Sequence, residues 1–213
     1  NPATYKNGKY NNFKAQASIL DEDGNYAVAA ASLTGDISCT SYDAATGQYS
    51  VDFGVYNRQD ASATAIDGVA VSFYSGNPEN GGKLIGVYHT GKDIRPDSTL
   101  NDRFSFTGSD LTTLWMVVNT DRYPIIVSDT SYYGIDECDY TDNVYIVQLP
   151  QVTKVNKEIC GGDSYDFYGD VLTQAGQYIY ETKNISGCDS IITVLTLAVT
   201  DIKTADETRT SCE

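Results

Sequence analysis

Residues 159–192 hold two cysteines, Cys160 and Cys188, with short alternating strands and glycine turns between them. The stretch reads Ile-Cys-Gly-Gly-Asp-Ser-Tyr-Asp-Phe-Tyr-Gly, then Leu-Thr-Gln-Ala-Gly-Gln-Tyr, then Asn-Ile-Ser-Gly-Cys-Asp-Ser-Ile-Ile. Strands of that size cannot bury enough apolar surface to stand alone, so a covalent staple is expected. A Cys160–Cys188 disulfide closing this loop would stabilise by roughly 3 kcal/mol in the chain-entropy picture.

The rest of the chain reads as strands. Tyr49, Val51, Phe53 and Val55 alternate onto one face. Val69 to Tyr74 and Leu84 to Tyr88 flank Ser75-Gly-Asn-Pro-Glu-Asn-Gly-Gly, a run of turn formers. Leu114 to Asn119 and Val144 to Leu149 are more continuously apolar and expected to be more buried. No window of a dozen residues carries helical periodicity, and 17 tyrosines suit pleated strands with one wet edge. Short strands at near-regular spacing predict antiparallel sandwiches.

Of the 213 residues, 41% are hydrophobic, enough for a core, and the charged share is too low for disorder. The longest apolar stretches, such as Ile191 to Val199, are strand-sized, so no membrane insertion is expected. Asn1 has no basic-then-apolar opening after it, so the chain reads as an excised fragment or a processed product. The net charge is −15, and residues 35–150 hold −10 of it. That excess disfavours nucleic acid, which needs clustered Lys and Arg. It suits a solvated surface or hard divalent cations.

The Cys160–Cys188 segment, with its Gly-Cys-Asp-Ser-Ile end and Ala-Gly-x-Tyr turn, resembles the Cys-containing repeat modules of very long secreted and cell-surface proteins of the Bacteroidota. Many of those are adhesins exported by the type IX secretion system and tied to gliding motility. Residues 35–149 invite a second comparison. Gly35-Asp-Ile-Ser-Cys opens a strand, Val55-Tyr-Asn-Arg-Gln-Asp-Ala-Ser-Ala follows, and Glu137-Cys-Asp-Tyr-Thr-Asp-Asn-Val closes the region. That order resembles the immunoglobulin-like domains related to the bacterial cell-adhesion type. Two departures stand out: Asn57-Arg-Gln-Asp60 lacks the usual Gly, and Asp142-Asn143 stands where that pattern has Asn-Asn.

The expected architecture is all-β: an antiparallel Ig-like β-sandwich followed by a small disulfide-stapled β-module. Residues 1–34 would be a β-hairpin or the end of a preceding domain, around Asp21-Glu-Asp-Gly-Asn. The sandwich takes 35–149, a linker 150–157, the module 158–200 and a tail 201–213. Beside Cys160–Cys188, a second bond from Cys39 to Cys138 would tie the first sandwich strand to its closing loop and leave Cys212 free. Four cysteines allow three connectivities.

Catalytic signatures are sparse. His89 is the only histidine and has no serine elbow near it. Gly-x-Ser-x-Gly, a Gly-rich phosphate loop and His-Glu-x-x-His are all missing. With no Cys-x-x-Cys, zinc is disfavoured. Carboxylate pairs such as Asp136 and Glu137 are not singled out from the other acids. Ca²⁺ is the better chemical expectation, on Glu137, Asp139, Asp142 and Asn143, with Asp121 contributing from another loop. Tyr132 and Tyr133 in a loop could stack on sugar, whereas Trp115 reads as core. Asp97-Ser-Thr and Asp189-Ser-Ile match the short O-glycosylation acceptor pattern of the same bacteria. The resemblances imply a non-catalytic structural or adhesive segment of a large secreted surface protein, spacing or presenting binding domains. Its partners would be neighbouring domains of the same chain and surface polysaccharide or glycan. The alternative is an accessory module of a secreted polysaccharide-degrading enzyme.

Overall fold

The computed structural model describes residues 19–20, 26–27, 29–66, 68–109 and 111–200. Strands dominate, and no α-helix occurs among the described residues. Strands β1 (Ile19–Leu20) and β2 (Tyr26–Ala27) pair antiparallel as a minimal hairpin, the first of the two readings of this region. The acidic turn between them, Asp21 to Asn25, lies outside the described residues, as does Cys212.

Seven strands build the sandwich. They are β3 (Leu33–Asp43), β4 (Gln48–Asn57), β5 (Ala70–Tyr74), β6 (Leu84–His89), β7 (Ser98–Thr107), β8 (Thr113–Val118) and β9 (Val144–Gln148). One sheet runs β3-β4-β7 and the other β6-β5-β8-β9, with every ladder antiparallel. The three-plus-four arrangement is the expected Ig-like sandwich. The alternation in β4 lands as the period-two pattern requires, with Tyr49, Val51, Phe53 and Val55 all buried. They meet Val71 and Phe73 from β5 and Leu114, Met116 and Val118 from β8 in one core. Phe73 stacks on Phe104 at 4.3 Å between centroids and meets Phe53 edge-on at 5.3 Å.

The run of turn formers closes β5 onto β6. Asn77 Oδ1 accepts from Glu79 N at 2.9 Å and caps a single 3-10 turn over Pro78–Asn80. Gly82 then returns its N–H to Asn77 O at 2.7 Å. A Cβ on Gly82 would sit 2.3 Å from Gly76 O, so only glycine fits.

The second unit is larger than its cysteine boundaries suggest. Residues 150–157 are not a linker. All but Pro150 belong to β10 (Gln151–Cys160), which runs parallel to β14 (Asp189–Thr200) through ten consecutive pairs, Gln151↔Ile191 to Cys160↔Thr200. β13 (Gly176–Lys183) covers the other side of β14. The polar reading of 150–157 has a physical source. β10 is an edge strand, and its exposed Lys154, Lys157 and Glu158 charge the open edge against unwanted pairing.

A short hairpin, β11 (Tyr165–Phe167) and β12 (Asp170–Leu172), packs on this sheet around Phe167, Leu195, Leu197 and Ile159. Its two-residue turn is Tyr168-Gly169, both at positive φ, 55° and 97°. A tyrosine in the left-handed region costs on the order of 1–2 kcal/mol. The ring offsets that cost by stacking on Tyr180, centroids 3.7 Å apart, and its hydroxyl shares a 3.0 Å hydrogen bond with Thr193.

The disulfide pairing differs from expectation. Cys188 is bonded to Cys39, not to Cys160, with Cα atoms 5.4 Å apart. Cys138, expected to hold Cys39, is an exposed free thiol. Cys160 is disulfide-bonded as well, but Cys188 is not its partner. The covalent tie therefore runs between sandwich and module, where strands from two units meet and a bond adds most constraint.

Candidate functional site

Two places concentrate buried polar chemistry. The first is the sandwich rim, where the loop from β8 to β9 turns back over the sheet. Tyr133 and Ile125 from this loop bury against Tyr74 and Val117 on the outer face of the four-stranded sheet. Tyr133 donates its hydroxyl to Val127 O at 2.8 Å, and burial pushes its pKa up to about 12. Tyr132 is half-buried against the same cluster, as is Trp115. Trp115 thus packs in this outer cluster rather than the inner core.

Asn119 starts the loop at φ 64°, a left-handed conformation that Asn tolerates better than most residues. Its Oδ1 accepts from Ile135 N at 2.8 Å, and its Nδ2 donates to Glu137 Oε1 at 2.6 Å. Asn143 Nδ2 donates to the same oxygen at 2.6 Å, and Leu33 N donates to Glu137 Oε2 at 2.7 Å. One buried carboxylate therefore joins the start of β3, the end of β8 and the start of β9. Backbone bonds reinforce it, from Ala31 N to Asp136 O at 3.2 Å and from Cys138 N to Ala31 O at 2.8 Å. Burial raises the Glu137 pKa to about 7, against the pull of the Asn143, Asn119 and Leu33 donors.

The five residues expected to hold Ca²⁺ are spread over separate tasks. Glu137 already receives three N–H donors. Asp139 Oδ1 accepts from the Thr141 amide and hydroxyl, which keep its pKa low. Asp142 Oδ2 pairs with Arg58 at 2.7 Å. Asn143 Nδ2 also donates to Val118 O at 3.3 Å. Asp121 is exposed. Asp142 Oδ1 and Asn143 Oδ1 are buried without a hydrogen-bond partner, but the Arg58 guanidinium already supplies the local positive charge. Among the described residues no group of three or more His, Cys, Asp or Glu side chains converges on one point.

The second place is the junction of sandwich and module, which the sequence reading missed. Asn184 shapes the turn from β13 to β14: its Oδ1 accepts from Ser186 N at 2.9 Å and Cys188 N at 3.0 Å. Gly187 completes the turn at φ 82°. Cys188 is thereby held against Cys39, where the β3–β4 register shifts between Ile37 and Cys39. The next residue, Asp189, is 7% exposed. Its Oδ2 accepts from Tyr42 N at 2.9 Å, and its Oδ1 pairs closely with Lys183 Nζ. A buried carboxylate is tolerable only with such donors, so this contact fixes position as well as charge. The legible signal was the adjacency of Cys188 and Asp189, one covalent and one ionic anchor side by side. His89, by contrast, sits exposed at the end of β6. Asp97, in one acceptor pattern, receives the Tyr56 hydroxyl at 2.8 Å.

No helix among the described residues is long and apolar enough to cross a membrane. No protein-family model matches the chain, and no curated protein matches it. Among solved structures, a selenomethionine-labelled beta-glucosidase from Kluyveromyces marxianus overlaps at 13% identity and a TM-score of 0.30. The overlap covers 59% of this chain and 14% of that enzyme's, so the chain spans a small part of the protein it matches. So loose a likeness carries no conclusion about activity.

Proposed function

We propose that this chain is a non-catalytic structural segment of a large secreted cell-surface protein, spacing or presenting binding domains borne elsewhere on the same polypeptide. One observation carries the reading: the sandwich and the module are joined by a disulfide and by the buried Asp189 contact, beyond the chain connection itself. A spacer gains from a stiff joint, because direction is lost wherever two units swing freely. Disulfide bonding suits an oxidising, extracellular setting. The resemblance to secreted repeat modules points the same way.

Small-angle scattering of the full chain tests the reading. A single narrow distribution of overall dimensions is expected, broadening when Cys39 and Cys188 are both changed to Ser. Equal breadth for both proteins would sink the stiff-spacer reading. Binding across a glycan array, abolished by changing exposed side chains, would favour an accessory carbohydrate module instead.

A further inference from the structure

We propose that the Cys39–Cys188 bond is a mechanical shortcut that keeps residues 40–187 out of the path of tension along the chain. The inference rests on the spacer reading, in which neighbouring domains pull on the two ends.

The covalent path decides which residues carry load. The bond joins positions 149 residues apart. Tension arriving from the N-terminal side runs along β3 from Leu33 to Cys39, crosses to Cys188 and continues along β14 to Thr200. Everything between the two cysteines hangs on this path as a closed loop. Both loaded segments are already strands. A strand rises about 3.3 Å per residue, close to the 3.3–3.6 Å limit of an extended chain. The shortcut therefore has almost no slack. Asp189 and its bond from Tyr42 N hold β3 and β14 together beside the crossing point.

Single-molecule force spectroscopy on the full chain, held at its two ends, tests this. The unreduced protein should stop short of its contour length. Adding reductant under constant force should release about 500 Å more, the extended length of the closed loop at roughly 3.5 Å per residue. Unreduced chains that extend to full contour length would overturn the proposal. The double change Cys39→Ser and Cys188→Ser separates this bond from that of Cys160. It should give several hundred ångström of extra extension without reductant, folded or not; a variant that extends no further than the unreduced parent chain would also overturn it. Cell fractionation keeps the two readings apart: a clamp that holds in a parent protein absent from the cell surface refutes the spacer role alone.

Discussion

The sandwich and the module are both built from strands, but they hold together by different means. The sandwich closes two sheets over a continuous core, with Leu33, Val51, Val55, Phe73 and Leu114 fully buried. The module has one three-stranded sheet and a small hairpin over it, with a cluster of four buried side chains, Ile159, Phe167, Leu195 and Leu197. Apolar burial grows with size, so the small unit needs outside help. It gets that help from Cys39 and Tyr42 of its larger neighbour. The lesson is that a unit's boundaries in sequence need not be its boundaries in stability.

The sharpest way to break this contrast is to cut the tie. Changing Cys39 and Cys188 to Ser should cost up to about 5 kcal/mol, the chain-entropy value for so long a loop. Hydrogen exchange should show β10–β14 losing protection first, with the sandwich keeping its own. Simultaneous loss in both units would mean that they fold as one body. Phe73→Ala should cost about 4 kcal/mol and act on the sandwich, because it empties a fully buried ring site. A thermal melt in which only the module responded would reverse the comparison.

Glu137 gives a pH signature to the sandwich alone. Its pKa is about 7 in the folded chain and 4.5 when exposed. Between those values the folded state holds a proton that the unfolded state lacks. Stability from this group is thus fullest below about pH 4.5 and falls as pH rises to about 7, by at most about 3 kcal/mol. Urea melts at pH 5 and pH 7.5 should show the fall, and Glu137→Gln should flatten it. A rise with pH that depends on Glu137 would refute the assignment. Tyr168→Asn suits the left-handed turn but removes the Tyr180 stack, so it should cost the module about 1 kcal/mol. A more stable variant would show that backbone strain outweighs the stack. The smallest effect is expected from metal: millimolar Ca²⁺ should move the melting midpoint no more than Mg²⁺ does, relative to EDTA. A Ca²⁺-specific rise lost in Asp142→Ala would restore a site at the rim.

Much of the sandwich was legible because its periods are local. The alternation of Tyr49 to Val55 and the Asn77–Gly82 turn depend on neighbours in sequence, and both fell where the pattern put them. β10 was not legible, since an edge strand exposes Lys154 and Lys157 and so resembles a linker. The disulfide was not legible either. Cys188 lies 28 residues from Cys160, inside one sequence motif, but what brings it to Cys39 is the docking of β14 beside β3, which no spacing encodes. The partners of the acidic rim were not legible for a related reason. The spacing of those carboxylates says nothing of Asn119, Arg58 and the Leu33 amide, which reach Glu137 and Asp142 from other elements.

The turn between β13 and β14 also sets how this segment can drift over generations. Ile185 stands wholly in solvent at its tip, while Cys188, three positions on, is 4% exposed. Replacement at position 185 touches nothing, so mutation there is invisible to selection for folding. Asn184, Gly187, Cys188 and Asp189 have no such freedom, because each sets the shape or the anchorage of the turn. Descendants of this chain should therefore differ freely at one residue and agree at the four named around it, a divergence profile that a collection of related modules would display within a single six-residue stretch.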